Sequence, residues 1–234
     1  MKNIKKWILE FYWSLRHVSD TAIYKIKKYF SSLFSWLAGI GRKDSFFVSN
    51  MKKIDTLVIC AHPDDETIFF YSVLKKYSPF IICMSHVGDR IRRHEFYKAL
   101  NDQNVSGMMM NFPDVKGMTW AWKWFMKSRV KRILKAFPDV NTIYTHAGYG
   151  ESGHPHHFCV HNGVLSALND DNDISVFCTA NTFSPNQEAQ LTTADVDNKM
   201  RIIREIYSTQ VNMLVRWCPW FKDYLLYEYF HQEG

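Results

Sequence analysis

Thr56-Leu57-Val58-Ile59-Cys60-Ala61 runs directly into His62-Pro63-Asp64-Asp65-Glu66. The apolar run has the character of a strand buried on both faces, as strands of a parallel sheet are. Pro63 cannot donate to a ladder, so it stops the strand. A histidine and three acids then gather just past the strand's carboxyl end. In open α/β sheets that edge is where ligands bind. Adjacent carboxylates repel, and a divalent cation between them removes the conflict.

The rest of the chain repeats the theme. Strand-like runs recur at Phe80–Met84, Met108–Asn111, Thr142–Thr145 and Ser175–Ala180, with helical patterns near 67–77, 89–102, 120–136 and 155–168. This alternation predicts an α/β fold: a Rossmann-like, mostly parallel sheet with helices on both faces. Neither GxGxxG nor GxxxxGK[ST] occurs, so the sheet carries no nucleotide fingerprint.

A second polar cluster follows the Thr142–Thr145 strand: Thr145-His146-Ala147-Gly148-Tyr149-Gly150-Glu151-Ser152-Gly153-His154-Pro155-His156-His157. Pro155 suits a first helical turn. His154 and His157, three apart, share a side of that helix, and His161 continues it. Both clusters belong to the same sheet edge. Two histidines and one aspartate leave open positions on a metal, the plan of a catalytic zinc site. The same set serves non-haem iron(II) oxygenases, but the extra acid Asp64 favours hydrolysis. Histidines merely solvated in a loop would explain one of these residues, not the combined pattern.

Charge is uneven. Residues 1–43 hold nine Lys/Arg and two acids, whereas the remainder holds 20 basic and 21 acidic residues. The net +6 therefore belongs to the N-terminal segment, and a nucleic-acid partner is not expected. Within that segment Ile4, Trp7, Ile8, Phe11, Tyr12, Leu15 and Val18 keep helical spacing, as do Ala22, Ile26, Tyr29, Phe30, Leu33, Phe34 and Leu37. Two basic amphipathic helices suit a membrane surface, through residues 1–40, or packing on protein. Gly39, Gly41 and Arg42–Ser45 read as a linker. Residues 1–45 are thus expected to be a helical extension, and residues 51–234 the domain proper. Glu10 and Arg16 interrupt any signal-like region, and no run of 18 uncharged apolar residues occurs. The five cysteines form no CxxC pair and are expected to be buried free thiols. These features point to a cytoplasmic location, peripheral on a membrane. Trp120, Trp122, Trp124, Phe125 and Met126 are read as a packing or interface face rather than a substrate wall.

AHPDDE at residues 61–66 together with GHPHH at 153–157 resembles the PIG-L/LmbE family of zinc-dependent de-N-acetylases. Arg92-x-x-Glu95-x-x-x-Ala99, Phe112-Pro113-Asp114, Phe137-Pro138-Asp139, Tyr207-Ser208-Thr209-Gln210 and Glu228-Tyr229-Phe230 extend the likeness over about residues 51–234. The resemblance implies that His62, Asp65 and His157 bind zinc, with iron(II) the alternative. It makes Asp64 the general base, and His154 the stabiliser of the oxyanion or donor to the leaving amine. Arg92 and Asp114 would sit in the substrate pocket, with Glu66 supporting the loop. The implied reaction removes an N-acetyl group from an N-acetylglucosamine-type sugar, on a glycolipid if the N-terminal helices meet a membrane. Two departures bear on the substrate: His156 stands where the family usually has Asp, and Ser85-His86-Val87-Gly88-Asp89 only loosely matches its Thr-x-Gly loop. The first motivates the rival reading, a catalytically silent glycan-binding or membrane-associated protein on the same fold.

Overall fold

A computed structural model describes residues 45–47, 53–114, 119–151, 153–168, 173–180, 187–211 and 227–233. The predicted N-terminal helices lie outside the described residues, as do Cys218 and the aromatics at 217–224.

Eight strands form one sheet: β1 (Ser45–Phe47), β2 (Thr56–Cys60), β3 (Phe80–Ser85), β4 (Ser106–Phe112), β5 (Thr142–Thr145), β6 (Ser175–Thr179), β7 (Gln187–Gln190) and β8 (Tyr227–Glu233). Their order is β1-β4-β3-β2-β5-β6-β8-β7. The central run β4-β3-β2-β5-β6 is parallel. β1, β8 and β7 join antiparallel at the edges. The expected mostly parallel sheet is therefore present, and the antiparallel margins are additional to it. β1 pairs Ser45–Phe47 with Met109–Gly107, so the sheet begins at the edge of the segment read as linker.

The helices are α1 (Asp65–Tyr77), α2 (Arg90–Asp102), α3 (Thr119–Ala136), α4 (Pro155–Ala167) and α5 (Thr193–Arg201), the last running on through a π-helical turn at Ile202–Ile206. Alternation along each strand divides the core. Leu57, Ile59, Ile82 and Met110 face α3 and α4 with Met126, Val130, Cys159 and Val160. Val58, Cys60, Ile81 and Met109 face α1 and α2 with Ile68, Phe69, Phe96 and Leu100. Helices thus cover both faces. Burying each such aliphatic side chain contributes about 1.5–3 kcal/mol, and Leu57, Val58 and Ile59 are all fully buried. Gly163 lets α4 approach α3 closely, because a Cβ there would meet Met126 Cγ at 2.2 Å. Met126 is buried, but Trp124 and Phe125 are exposed, so that part of the aromatic run stands outside the core. The four described cysteines are buried and free, as expected. Among the described residues no helix is long and apolar enough to cross a membrane.

One helix is interrupted. Phe70 has φ −129° and ψ 17°, which breaks α1 in its middle. The amides of Tyr71 and Ser72 donate instead to the Glu228 carboxylate of β8, at 2.9 and 2.8 Å. Ser72 Oγ and Lys199 Nζ donate to the same carboxylate at 2.6 and 2.7 Å. Glu228 therefore caps the second half of α1, where the helix dipole favours an anion.

Candidate functional site

The strand order reverses between β2 and β5, because β3 and β4 lie to one side of β2 and β5 and β6 to the other. The crevice at such a switch point is the expected ligand site of an open α/β sheet. His62, Asp64 and Asp65 follow β2. His146, Glu151, His154, His156 and His157 follow β5 or open α4. Asp114 follows β4. All of the sequence-predicted site residues except Arg92 come from these three strand ends, and Arg92 reaches in from the first turn of α2.

Three donor atoms form a triangle. His62 Nδ1 lies 3.1 Å from His157 Nε2 and 3.4 Å from Asp65 Oδ2. His157 Nε2 lies 3.5 Å from Asp65 Oδ2. Tetrahedral bonds to zinc place ligand atoms about 3.3–3.6 Å apart. The reverse side of each imidazole fixes its proton. His157 Nδ1 lies 2.5 Å from Glu151 Oε2, and His62 Nε2 lies 3.1 Å from Asp114 Oδ2. Carboxylates accept, so each ring donates away from the triangle, and its inward nitrogen is the one a metal would take. Three inward lone pairs repel unless a proton or a metal cation sits among them. Backing by a carboxylate is also the usual support of a metal-bound histidine. The residues therefore fit a divalent metal.

The electrostatics follow from this crowding. Burial works against charge on His62, yet Asp114 and Asp65 push it up to about 10. Burial also opposes ionisation of Asp65, and His157 and His146 overcome it, holding Asp65 well below the usual carboxylate range. Asp64 goes the other way: burial raises it to about 8, against the pull of Arg92. Its backbone sits at φ 109°, a strained value for a side chain of this kind, and it opens α1. Glu66 holds that turn, accepting from the Asp64 amide at 3.1 Å, from Thr67 Oγ1 at 2.7 Å and from the Tyr207 hydroxyl at 2.7 Å.

His154 caps α4, its Nδ1 accepting from the His156 amide at 3.3 Å. That leaves the proton of a neutral ring on Nε2. Burial and the nearby His62 and His157 keep the ring well below its ordinary range. Arg92 donates to Pro63 O at 2.7 Å and lies 3.5 Å from Asp64 Oδ1. It is steered by a relay: Ser85 Oγ donates to Ala61 O at 2.6 Å and accepts from His86 Nδ1, whose Nε2 faces Arg92 at 3.4 Å. Arg92 and Asp114 thus bear on the turn and on His62, beside the space a substrate would enter.

Glu151, His146 and His86 are site residues to which sequence reasoning assigned no role. Glu151 accepts from His146 at 3.1 Å, from His157, from the Ala147 amide at 3.0 Å and from Thr179 Oγ1. Despite burial, His146 and His157 hold its carboxyl far below the usual range. His146 stacks on His157 with ring centres 3.9 Å apart, and its Nε2 accepts from the Ala61 amide at 2.9 Å. The available signal was position: a carboxylate inside a glycine-rich loop, six residues before a candidate ligand histidine.

Fold and site together define an α/β domain whose switch point carries a His/carboxylate centre able to hold a metal. Residues 57–168 match the family model described as PIG-L, GlcNAc-PI de-N-acetylase, a span that includes every donor of the triangle. The chain is 27% identical over 135 residues to a probable N-acetylglucosaminyl-phosphatidylinositol de-N-acetylase of Dictyostelium discoideum, covering 51% of this chain and 52% of that protein. The chain thus spans about half the length of this curated relative. Two solved structures share the fold. A triple mutant of a deacetylase involved in teicoplanin biosynthesis superposes with a TM-score of 0.59 at 15% identity, over 76% of this chain and 98% of that one. An antimicrobial pseudoaglycone deacetylase superposes with a TM-score of 0.54 at 13% identity, over 71% and 86%. The chain is thus similar in sequence to de-N-acetylases of the PIG-L type over residues 57–168, and its fold is that of solved deacetylases.

Proposed function

We propose that this protein is a zinc-dependent hydrolase that removes the acetyl group from an N-acetylglucosamine-type sugar carried on a lipid. The observation that carries the reading is the triangle of His62 Nδ1, Asp65 Oδ2 and His157 Nε2, with two of its corners backed by carboxylates. When bound, zinc supplies a Lewis acid for the amide carbonyl and lowers the pKa of water towards about 7. Asp64, beside the triangle and ionised once a cation offsets its burial, takes the proton of the attacking water. His154, neutral with its proton on Nε2, donates a hydrogen bond to the developing oxyanion, and the proton taken up by Asp64 passes to the leaving amine, which departs poorly as an anion. Arg92 holds the Pro63–Asp64 turn in place for this. Asp64 also weighs against an oxygenase, which has no use for a base there.

The lipid part of the reading has its own support. Ile91, Trp124, Phe125, Tyr149 and Phe158 are five of the six exposed large hydrophobics among the described residues. All occur in the loop or helix segments that follow β3, β4 and β5 at the carboxyl edge of the sheet. The Dictyostelium relative is named for a phosphatidylinositol-linked sugar. Peripheral attachment on the cytoplasmic side is part of the proposal, with the free buried cysteines as support. The test is acetate release from soluble and lipid-linked N-acetylglucosaminides by metal-free protein reloaded with zinc or iron(II). Metal-dependent release that Asp64→Asn abolishes is the expected result. Tight metal binding with no release from any substrate would overturn it in favour of a silent binding protein.

A further inference from the structure

We propose that this chain holds a second metal ion, bound by His62 Nε2, Asp114 and His156 Nδ1, so that the His62 imidazole bridges two ions. The inference rests on the reading of the first metal centre given above. On the far side of His62 the donor atoms form another triangle. His62 Nε2 lies 3.1 Å from Asp114 Oδ2 and 3.1 Å from His156 Nδ1, and His156 Nδ1 lies 3.6 Å from Asp114 Oδ1. The Asp114 carboxylate thus presents a different oxygen to each nitrogen. His62, Asp114 and His156 each bring a ligand atom within 4.8 Å of the other two.

With the His156 proton on Nε2, a single proton on His62 Nε2 is shared between two acceptors, each 3.1 Å away, in a weak three-centre bond. A cation in place of that proton accepts all three lone pairs. Charge points the same way. Asp64, Asp65, Asp114 and Glu151 are largely or fully buried here, and Arg92 is the cation beside them. One dication leaves this group net negative. A second reduces that imbalance, the more so because Glu66 is also buried against the turn. His156 supplies the decisive donor. It is 1% exposed, and its Nδ1 faces both His62 and Asp114. The tautomer required keeps its proton on Nε2, the atom that has no hydrogen-bond partner in the structure. Asp114, with a side chain 16% exposed, provides the route from solvent.

Two imidazole nitrogens and a carboxylate suit zinc, copper or iron. Ions on opposite nitrogens of one ring would sit about 6 Å apart, two metal–nitrogen bonds plus the ring. That exceeds the ~3.5–4 Å of paired ions that share a reacting water. The second ion would therefore act on the first through the ring, by replacing the Nε2 proton, rather than on substrate.

The experiment counts ions. Metal-free full-length protein is dialysed against Zn2+ and analysed for zinc per chain, alongside His156→Phe and His156→Asn. Cu2+-loaded protein is examined by electron paramagnetic resonance. The expected result is two zinc ions in the wild type, one in each variant, and a spin-coupled copper pair that the variants lose. One ion in the wild type would overturn the second site and leave the proposed function standing. Two ions in wild type and variants alike would also overturn it, since the extra ion would then lie elsewhere. No bound ion at all would overturn both readings. Two substitutions of different shape guard against a variant that fails to fold.

Discussion

Two clusters of buried charge lie on opposite halves of α1, and they are built on opposite terms. Around Glu228 every demand is met: one carboxylate receives two amides, a hydroxyl and the Lys199 ammonium, and both charged side chains are fully buried. Around His62 the reverse holds, with lone pairs turned toward one another and Asp64 held partly protonated by burial. A satisfied buried pair fixes conformation. A buried set of converging metal-donor atoms marks a site of binding. The first half of α1 belongs to the reactive cluster and the second half to the brace.

This contrast can be broken experimentally. The largest effect is expected for Asp64→Asn, which should lower acetate release by about 10²–10⁴-fold while metal content and melting temperature hold. A variant that retains full turnover would remove Asp64 from the chemistry. Glu228→Gln should do the opposite. It strands Lys199 without its counter-ion and should cost about 3–5 kcal/mol of stability, read by denaturant unfolding, with metal stoichiometry unchanged in the folded fraction.

The same variant carries a pH signature. Burial already pulls Lys199 below its ordinary value, with Glu228 opposing. Without Glu228 the folded form binds fewer protons than the unfolded chain, so stability rises with pH up to the unfolded lysine value near ~10.4. The deficit of Glu228→Gln should therefore be greatest near neutrality and shrink towards pH 10. A deficit independent of pH would mean that Lys199 keeps its charge by another contact.

Glu151→Gln sharpens the other side of the comparison. It weakens the support behind His157 and should reduce metal affinity by about 10–100-fold, measured by competition with a chelator. The smallest effect is expected at the surface. Arg201→Ala breaks a partly exposed pair with Asp102 at 2.5 Å and should change stability by no more than ~1 kcal/mol.

The parallel body was legible because its strands are apolar throughout and its helices alternate with them. β7 and β8 were not. Gln187-Glu188-Ala189-Gln190 has no apolar face, and Tyr227–Glu233 hides a buried glutamate that looks like a surface residue until Lys199 is seen beside it. The site divides similarly. His62, Asp64, Asp65, His154 and His157 carry motif spacing, and the fold brings them together. Glu151 and His146 have no spacing of their own to read, because their work is to decide which ring nitrogen bears a proton. Glu95 and Tyr207 were recognised only as matching positions. In the structure Glu95 accepts from the Thr209 amide at 3.1 Å and its hydroxyl at 2.7 Å, and Tyr207 reaches Glu66, so both tie the π-helical end of α5 to the catalytic layer.

The kink at Phe70 also has a consequence for biosynthesis. Ser72 waits for a cap that lies 156 residues further along the chain. At ~5–20 residues per second a ribosome needs roughly 8–30 s to supply it. During that interval the nascent chain already displays His62, Asp64 and Asp65, with the helix behind them only half capped. The second half of α1 gains its cap only when β8 arrives.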